Sequence, residues 1–320
     1  MGTGVLCFFI AILHNLSRLW YKITAMIKYV FLFLVIINNV ATTAQTTTKP
    51  IIAGKLSSPV LDEISGVAVS ATNNNIFYVH NDSGDSSRFF AITPEGKLVA
   101  TYYFRAKFGG VAGAFDCEDI AVGAGPVKGQ SYIYLADIGD NFTWRPSIQV
   151  YRFTEPMVKT KAKADTLSAA TLNLTYPDGK HDAETILVDP LDKLLYIISK
   201  REDTVGIYSC ALNFNNKDNA VLQKKGKLHF DNKGKKNWIV SGAIFSDGSQ
   251  VLLKSLEHVY YWQRQSNEPI YTTLQRTPKI QTAFISHGQE EGISFSADGN
   301  GYYVVSEGVG TAIYYYTIEK

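Results

Sequence analysis

The chain has little of what several large protein classes require. Only three cysteines and three methionines occur in 320 residues. That excludes a disulfide-built scaffold and leaves no cysteine set at metal-ligand spacing. Apolar runs stop well short of the roughly 20 residues that span a bilayer. Positive and negative charges are almost balanced, 31 against 29, with only short lysine clusters at Lys224-Lys225 and Lys233 to Lys236. A nucleic-acid surface needs a concentrated basic face, so none is expected. The chain also lacks a Gly-Xaa-Ser-Xaa-Gly turn, a phosphate-binding loop and a dinucleotide fingerprint.

What is present is aromatic and β-prone: 19 Tyr and 17 Phe, residues that pack well on pleated surfaces. Two apolar runs near the start, Val5 to Leu13 and Tyr29 to Ile37, are each bounded by polar or basic residues. Met26-Ile27-Lys28, the second run and Ala41-Thr42-Thr43-Ala44 have the layout of a signal peptide. Residues 1–45 are therefore expected to be a leader, with 1–25 an upstream extension from a misassigned start codon. Residues 46–320 form the mature domain, beginning near Gln45 and exported to the periplasm or beyond the cell. Retention of both runs as an anchor is the alternative. Cys117 and Cys210 then remain, and their strand positions suit buried small hydrophobes better than a disulfide.

A pattern recurs five times: a small or acidic residue, an apolar strand, a turn and a second apolar strand. Its copies start at Ser65, Glu118, Glu184, Ser241 and Glu291, at steps of 53, 66, 57 and 50 residues. Turns such as Ser246-Asp247-Gly248 tolerate the positive φ of tight hairpins. Third strands are aromatic, as in Arg88 to Ile92 and His258 to Trp262. Fourth strands fit Leu98 to Phe104, Thr171 to Tyr176, Gly226 to Phe230 and Pro269 to Leu274. The last copy lacks a fourth strand, while Lys49 to Leu56 lies unpaired before the first. Pairing those two closes a ring and removes edges that would template aggregation. The expected fold is all-β, a single closed propeller of five four-stranded blades whose N-terminal strand completes the last. A sixth blade would have to hide between Glu118 and Glu184; a β-sandwich is the other architecture weighed.

First strands of a propeller line its channel, so their starts should converge at one end. Two residues earlier stand Glu63, Asp116, Asp182, Ile239 and Gln289; second strands end at Asn81, Asp137, Lys200, Ser255 and Glu307. Crowded carboxyls cannot all ionise without a cation. Calcium held by Glu118, Glu184 and Glu291 with Asn81 and Asp137 is one resolution. Neutralisation by Lys200, Arg201 and Lys254 is another, and carboxyls that merely tie blades together are the third. His80, His181 and His287 each lie within four residues of an acidic face position, which makes a general base conceivable. Catalytic candidates are thus His181, His287, Lys200 and Arg201. Ligand-binding candidates are Glu63, Asn81, Asp82, Asp137, Asp140, Lys254 and Glu307.

The segments Asp116-Cys117-Glu118-Asp119-Ile120-Ala121-Val122-Gly123, Ala136-Asp137-Ile138-Gly139-Asp140-Asn141 and Tyr176-Pro177-Asp178-Gly179-Lys180-His181-Asp182-Ala183-Glu184 resemble those of uncharacterised secreted bacterial propellers. More distantly, the Glu positions resemble TolB-like, paraoxonase-like and phytase-like propellers. That likeness implies an axial calcium supporting ester or phosphoester hydrolysis, although Ser65, Ser241 and Ile239 depart from an acidic ring. The expectation is an exported monomer that binds a small molecule or an extracytoplasmic protein at its acidic face. A calcium-dependent hydrolase of phosphoesters, esters or lactones is the alternative.

Overall fold

The computed structural model divides into two units, Met1–Ala44 and Gln45–Lys320. It describes Trp20, Lys22 and residues 49–108, 111–159, 164–202, 204–230, 238–283 and 290–319. The expected leader and its expected cleavage site lie outside the described residues, apart from Trp20 and Lys22, which are helical. No helix among the described residues is long and apolar enough to cross a membrane.

The second unit is a five-bladed propeller. Strand β1 (Ile51–Lys55) precedes the first blade, which comprises β2 (Ile64–Val69), β3 (Phe77–Asn81), β4 (Arg88–Ile92) and β5 (Leu98–Phe104). A small hairpin, β6 (Lys107–Phe108) and β7 (Val111–Ala112), leads to the second blade. That blade has β8 (Cys117–Gly123), β9 (Tyr132–Asp137), β10 (Ile148–Thr154), an interposed β11 (Ala164–Leu167) and β12 (Ala170–Thr175). The third has β13 (Ala183–Asp189), β14 (Leu194–Ser199), β15 (Thr204–Ala211), β16 (Asp218–Val221) and β17 (Gln223–His229). In the fourth, β18 (Ile239–Ile244), β19 (Gln250–Ser255), β20 (His258–Gln263), α1 (Ile270–Gln275) and β21 (Ile280–Ala283) follow in turn. The fifth contains β22 (Glu290–Phe295), β23 (Gly301–Ser306) and β24 (Ala312–Thr317). Strand β1 pairs antiparallel with β24, Ile51 opposite Tyr315, and completes it. The inner strands β2, β8, β13, β18 and β22 pack each on the next, and β22 returns to β2.

Both faces of each blade are covered by a neighbour, which explains the uninterrupted apolar strands. In β9, Tyr132, Tyr134 and Ala136 enter the core shared with the third blade. The alternate residues Ile133 and Leu135 enter the core shared with the first. Cys117 and Cys210 are buried free thiols, as expected for small hydrophobes, and burial pushes the Cys210 thiol up to about 12.

Five blades are as expected, so the six-blade alternative falls, and one strand assignment needs correction. The interval between Glu118 and Glu184 holds no sixth blade; it holds β11, which leaves the second blade to pair parallel with β5 of the first. Strand β16 repeats the device, running from the third blade onto β12 of the second. Pro269 to Leu274 is not a fourth strand. Helix α1 follows Pro269 there, packs on β17 of the third blade, and the true fourth strand is β21. A proline has no N–H for a ladder but costs nothing before a helical first turn. In three successive blades, then, the segment after the third strand covers the outer edge of the blade before it.

Candidate functional site

Every inner strand carries a β-bulge at the same place. Pairing runs Ile64 to Asn81 and then Gly66 to His80, leaving Ser65 without a cross-strand mate. The equivalent residues are Glu118, Glu184, Val240 and Glu291. A bulge breaks the two-residue alternation and re-aims one side chain. The recurring small or acidic residue is thus a bulge residue. In the fourth blade the sequence alignment was one residue late: Val240, not Ser241, holds this position. The same slip moves the earlier column. The amides of Asp82, Gly139, Lys200 and Leu256 donate to the carbonyls of Glu63, Asp116, Asp182 and Trp238, so Trp238 replaces Ile239 in it. Lys200 and Glu307 follow their strands' last residues, level with Asp82 rather than Asn81.

Three carboxyls meet at this mouth. Asp82, Asp116 and Glu118 each place an oxygen within 4.8 Å of the others. Asp116 and Glu118 are only 5% and 3% exposed. Burial first, then the charge of Asp82, pushes Asp116 up to about 7 despite the opposing Arg145. The same causes, with Asp116 added, hold Glu118 well above the carboxylate range. Burial raises Asp82 too. Gly139 makes the cluster possible: a Cβ there would lie 2.2 Å from Glu118 Oε1 and 2.4 Å from Asp116 Oδ2.

The remaining bulge acids sit nearby in charge. Glu184 pairs through Oε1 with Lys200 Nζ, while its buried Oε2 has no hydrogen-bond partner among the described residues. Glu291 is raised by burial, against Lys200 and Lys254. Glu307 is pushed to about 7 by burial and then by Glu291, Asp82 and the exposed Glu63. Arg201 binds Asp182 and Asn141 and stacks 4.3 Å above the Trp238 ring. The mouth thus brings cationic and aromatic groups together with its acids.

Other predicted site residues have structural employment. Asp137 is fully buried; it accepts the Phe115 and Asp116 amides and pairs with Arg145 at 2.7 Å. Asp140 accepts the Trp144 and Arg145 amides, both at 2.9 Å, and so fixes the next loop. Asn81 ties down Val60 O and Asp62, and Lys254 is fully buried with Nζ donating to Ser255 O. His80 is buried against Gly66, with Nδ1 2.8 Å from Asn81 O, and burial lowers it to about 4. His181 is held elsewhere, 2.6 Å from Glu202 and 2.9 Å from the Tyr208 hydroxyl, beside a cavity of about 200 Å³. The two histidines share no partner, and His287 lies outside the described residues. Sequence reading under-weighted Asp116 and missed Gly139 and Trp238. The Ile-Gly-Asp turn beside two carboxyl positions was the available signal for the glycine.

The donor set offers hard oxygens only, as calcium prefers, and the neighbouring bulge adds a buried Glu184 oxygen without a hydrogen-bond partner among the described residues. No family model matches the chain, and no curated protein matches it. Among solved structures it is similar to a gluconolactonase from Xanthomonas campestris, with 11% identity and a TM-score of 0.46 over 88% of this chain and 93% of that one. At that identity and score the likeness carries no argument about activity.

Proposed function

We propose that the propeller mouth binds calcium through Asp82, Asp116 and Glu118, and with it a small oxygen-rich molecule, outside the cytoplasm. The observation that carries this reading is the meeting of three carboxyl oxygens within 4.8 Å, two of them on buried side chains. Burial and then Asp82 raise Asp116 to about 7, so cation binding near neutral pH is expected to release protons from it. Lys200 neutralises Glu184 at the rim. Arg201 over Trp238 presents a guanidinium and a flat apolar face to whatever enters. A bound calcium would supply a Lewis acid for a carbonyl or phosphoryl oxygen.

The leader-like N-terminus supports an extracytoplasmic location. Modules working there bind calcium with Kd of about 10⁻⁴–10⁻³ M. Calorimetric titration of the full chain with Ca²⁺ is expected to give a Kd in this range, weakened about tenfold or more in Asp116→Asn. Equal heats from both proteins would remove Asp116 from the site, and no heat from either would end the calcium reading. Turnover of generic esters, lactones or phosphoesters that stops on chelation would make the protein a hydrolase. Calcium binding without turnover leaves a binding module.

A further inference from the structure

Directly after the bulge acid Glu118 stands Asp119, a fully buried residue with no place in the carboxyl triad. Its Oδ1 accepts the Ile120 amide at 2.9 Å and the Ser241 hydroxyl at 3.1 Å. Its Oδ2 accepts the Ile186 amide at 3.0 Å. Ile186 belongs to the third blade, whereas Ser241 belongs to the fourth. The second and fourth blades are not neighbours in the ring, so the Ser241 bond crosses the axis.

Ser241 carries the network on. Its Oγ also accepts the Ile293 amide of the fifth blade at 3.2 Å. From the other direction, Ser65 Oγ of the first blade donates to the Glu118 carbonyl at 3.0 Å. The inner strands of all five blades are therefore joined through two consecutive residues, one of which is a triad carboxyl. A buried carboxylate accepting several donors is held in one orientation, and so is the backbone that bears it.

We infer that Asp119 is the positioning residue of the mouth: it ties the inner strands together beside the triad and fixes the direction of Glu118. This rests on the calcium reading and deepens it.

Ser241→Ala tests this from across the axis, since Ser241 is outside the triad and its loss leaves Asp119 in place. Calorimetry of the full chain is expected to show Ca²⁺ affinity weakened about tenfold, the usual cost of an outer-shell partner, with Ser241→Thr restoring it. Asp119→Asn, which turns an amide NH₂ toward donors, should weaken binding at least as much. A metal-free crystal structure of Ser241→Ala gives the same answer without the cation: the Glu118 carboxyl should have moved away from Asp116. If Ser241→Ala only lowers the unfolding midpoint, with Ca²⁺ affinity and Glu118 unchanged, Asp119 is merely structural and the inference is overturned. If the parent chain binds no Ca²⁺, the calcium reading fails, and the position of Glu118 in the variant still decides the role of Asp119.

Discussion

At the scale of single residues, the mouth is a place where shape and charge conflict, and the conflict has measurable signs. Gly139 lies so close to Asp116 and Glu118 that a methyl group must push them apart. Gly139→Ala is expected to weaken calcium binding by about tenfold or more. Its φ does not lie in the left-handed region, so the backbone tolerates alanine and the fold should persist by circular dichroism. The pH dependence follows from Asp116 and Glu307, both raised to about 7 from ordinary values of 3.8 and 4.5. Between those limits the folded chain holds protons that the unfolded chain releases, so stability falls as pH rises. His80, lowered to about 4 from 6.5, acts in the opposite sense below 6.5. The unopposed fall in the metal-free midpoint therefore lies between about pH 6.5 and 7.5. Calcium competes with the same protons, so its affinity should rise through that window, as titrations at several pH values would show.

At the scale of elements, the bulges and the edge covers explain why some features were legible in the sequence and others were not. Strand periodicity and turn residues were sufficient for the blades, because both faces of each sheet are buried and the apolar runs are long. The bulge was not legible, since inner strands buried on both faces carry little alternation for an extra residue to break. That is why Ser241 was aligned with Glu118 when Val240 occupies its position, and why Asn81 was placed level with Lys200. Of the three proposed metal carboxyls only Glu118 belongs to the triad; Glu184 is paired with Lys200, and Glu291 lies outside that cluster. The edge covers were equally hidden. Strand β16 looks like a loop, yet Leu222 just beyond it is buried with Leu172 and Phe214. Leu222→Ala should cost about 2–5 kcal/mol, seen as a lower denaturation midpoint with calcium affinity intact. An unchanged midpoint would mean that β16 is no structural cover.

At the scale of the whole molecule, the propeller depends on a ring closed by one strand from the other end of the sequence. Without β1 the fifth blade has three strands and β24 becomes an open edge, the arrangement that invites association between chains. Deleting Ile51–Lys55 is expected to lower the unfolding midpoint by about 10 °C or more, at about 2–4 °C per kcal/mol, and to produce oligomers in size-exclusion chromatography. The closed ring also brings carboxyls from distant segments together at the mouth. The most direct test of that claim is thermal unfolding of the full chain with saturating Ca²⁺ and with chelator, beside Gly139→Ala. Calcium at 100 times its Kd should add about 2.7 kcal/mol to the parent chain, a rise of about 5–10 °C, and markedly less to the variant. Equal midpoints with calcium and chelator, or an equal rise in both proteins, would contradict a cation at Asp82, Asp116 and Glu118.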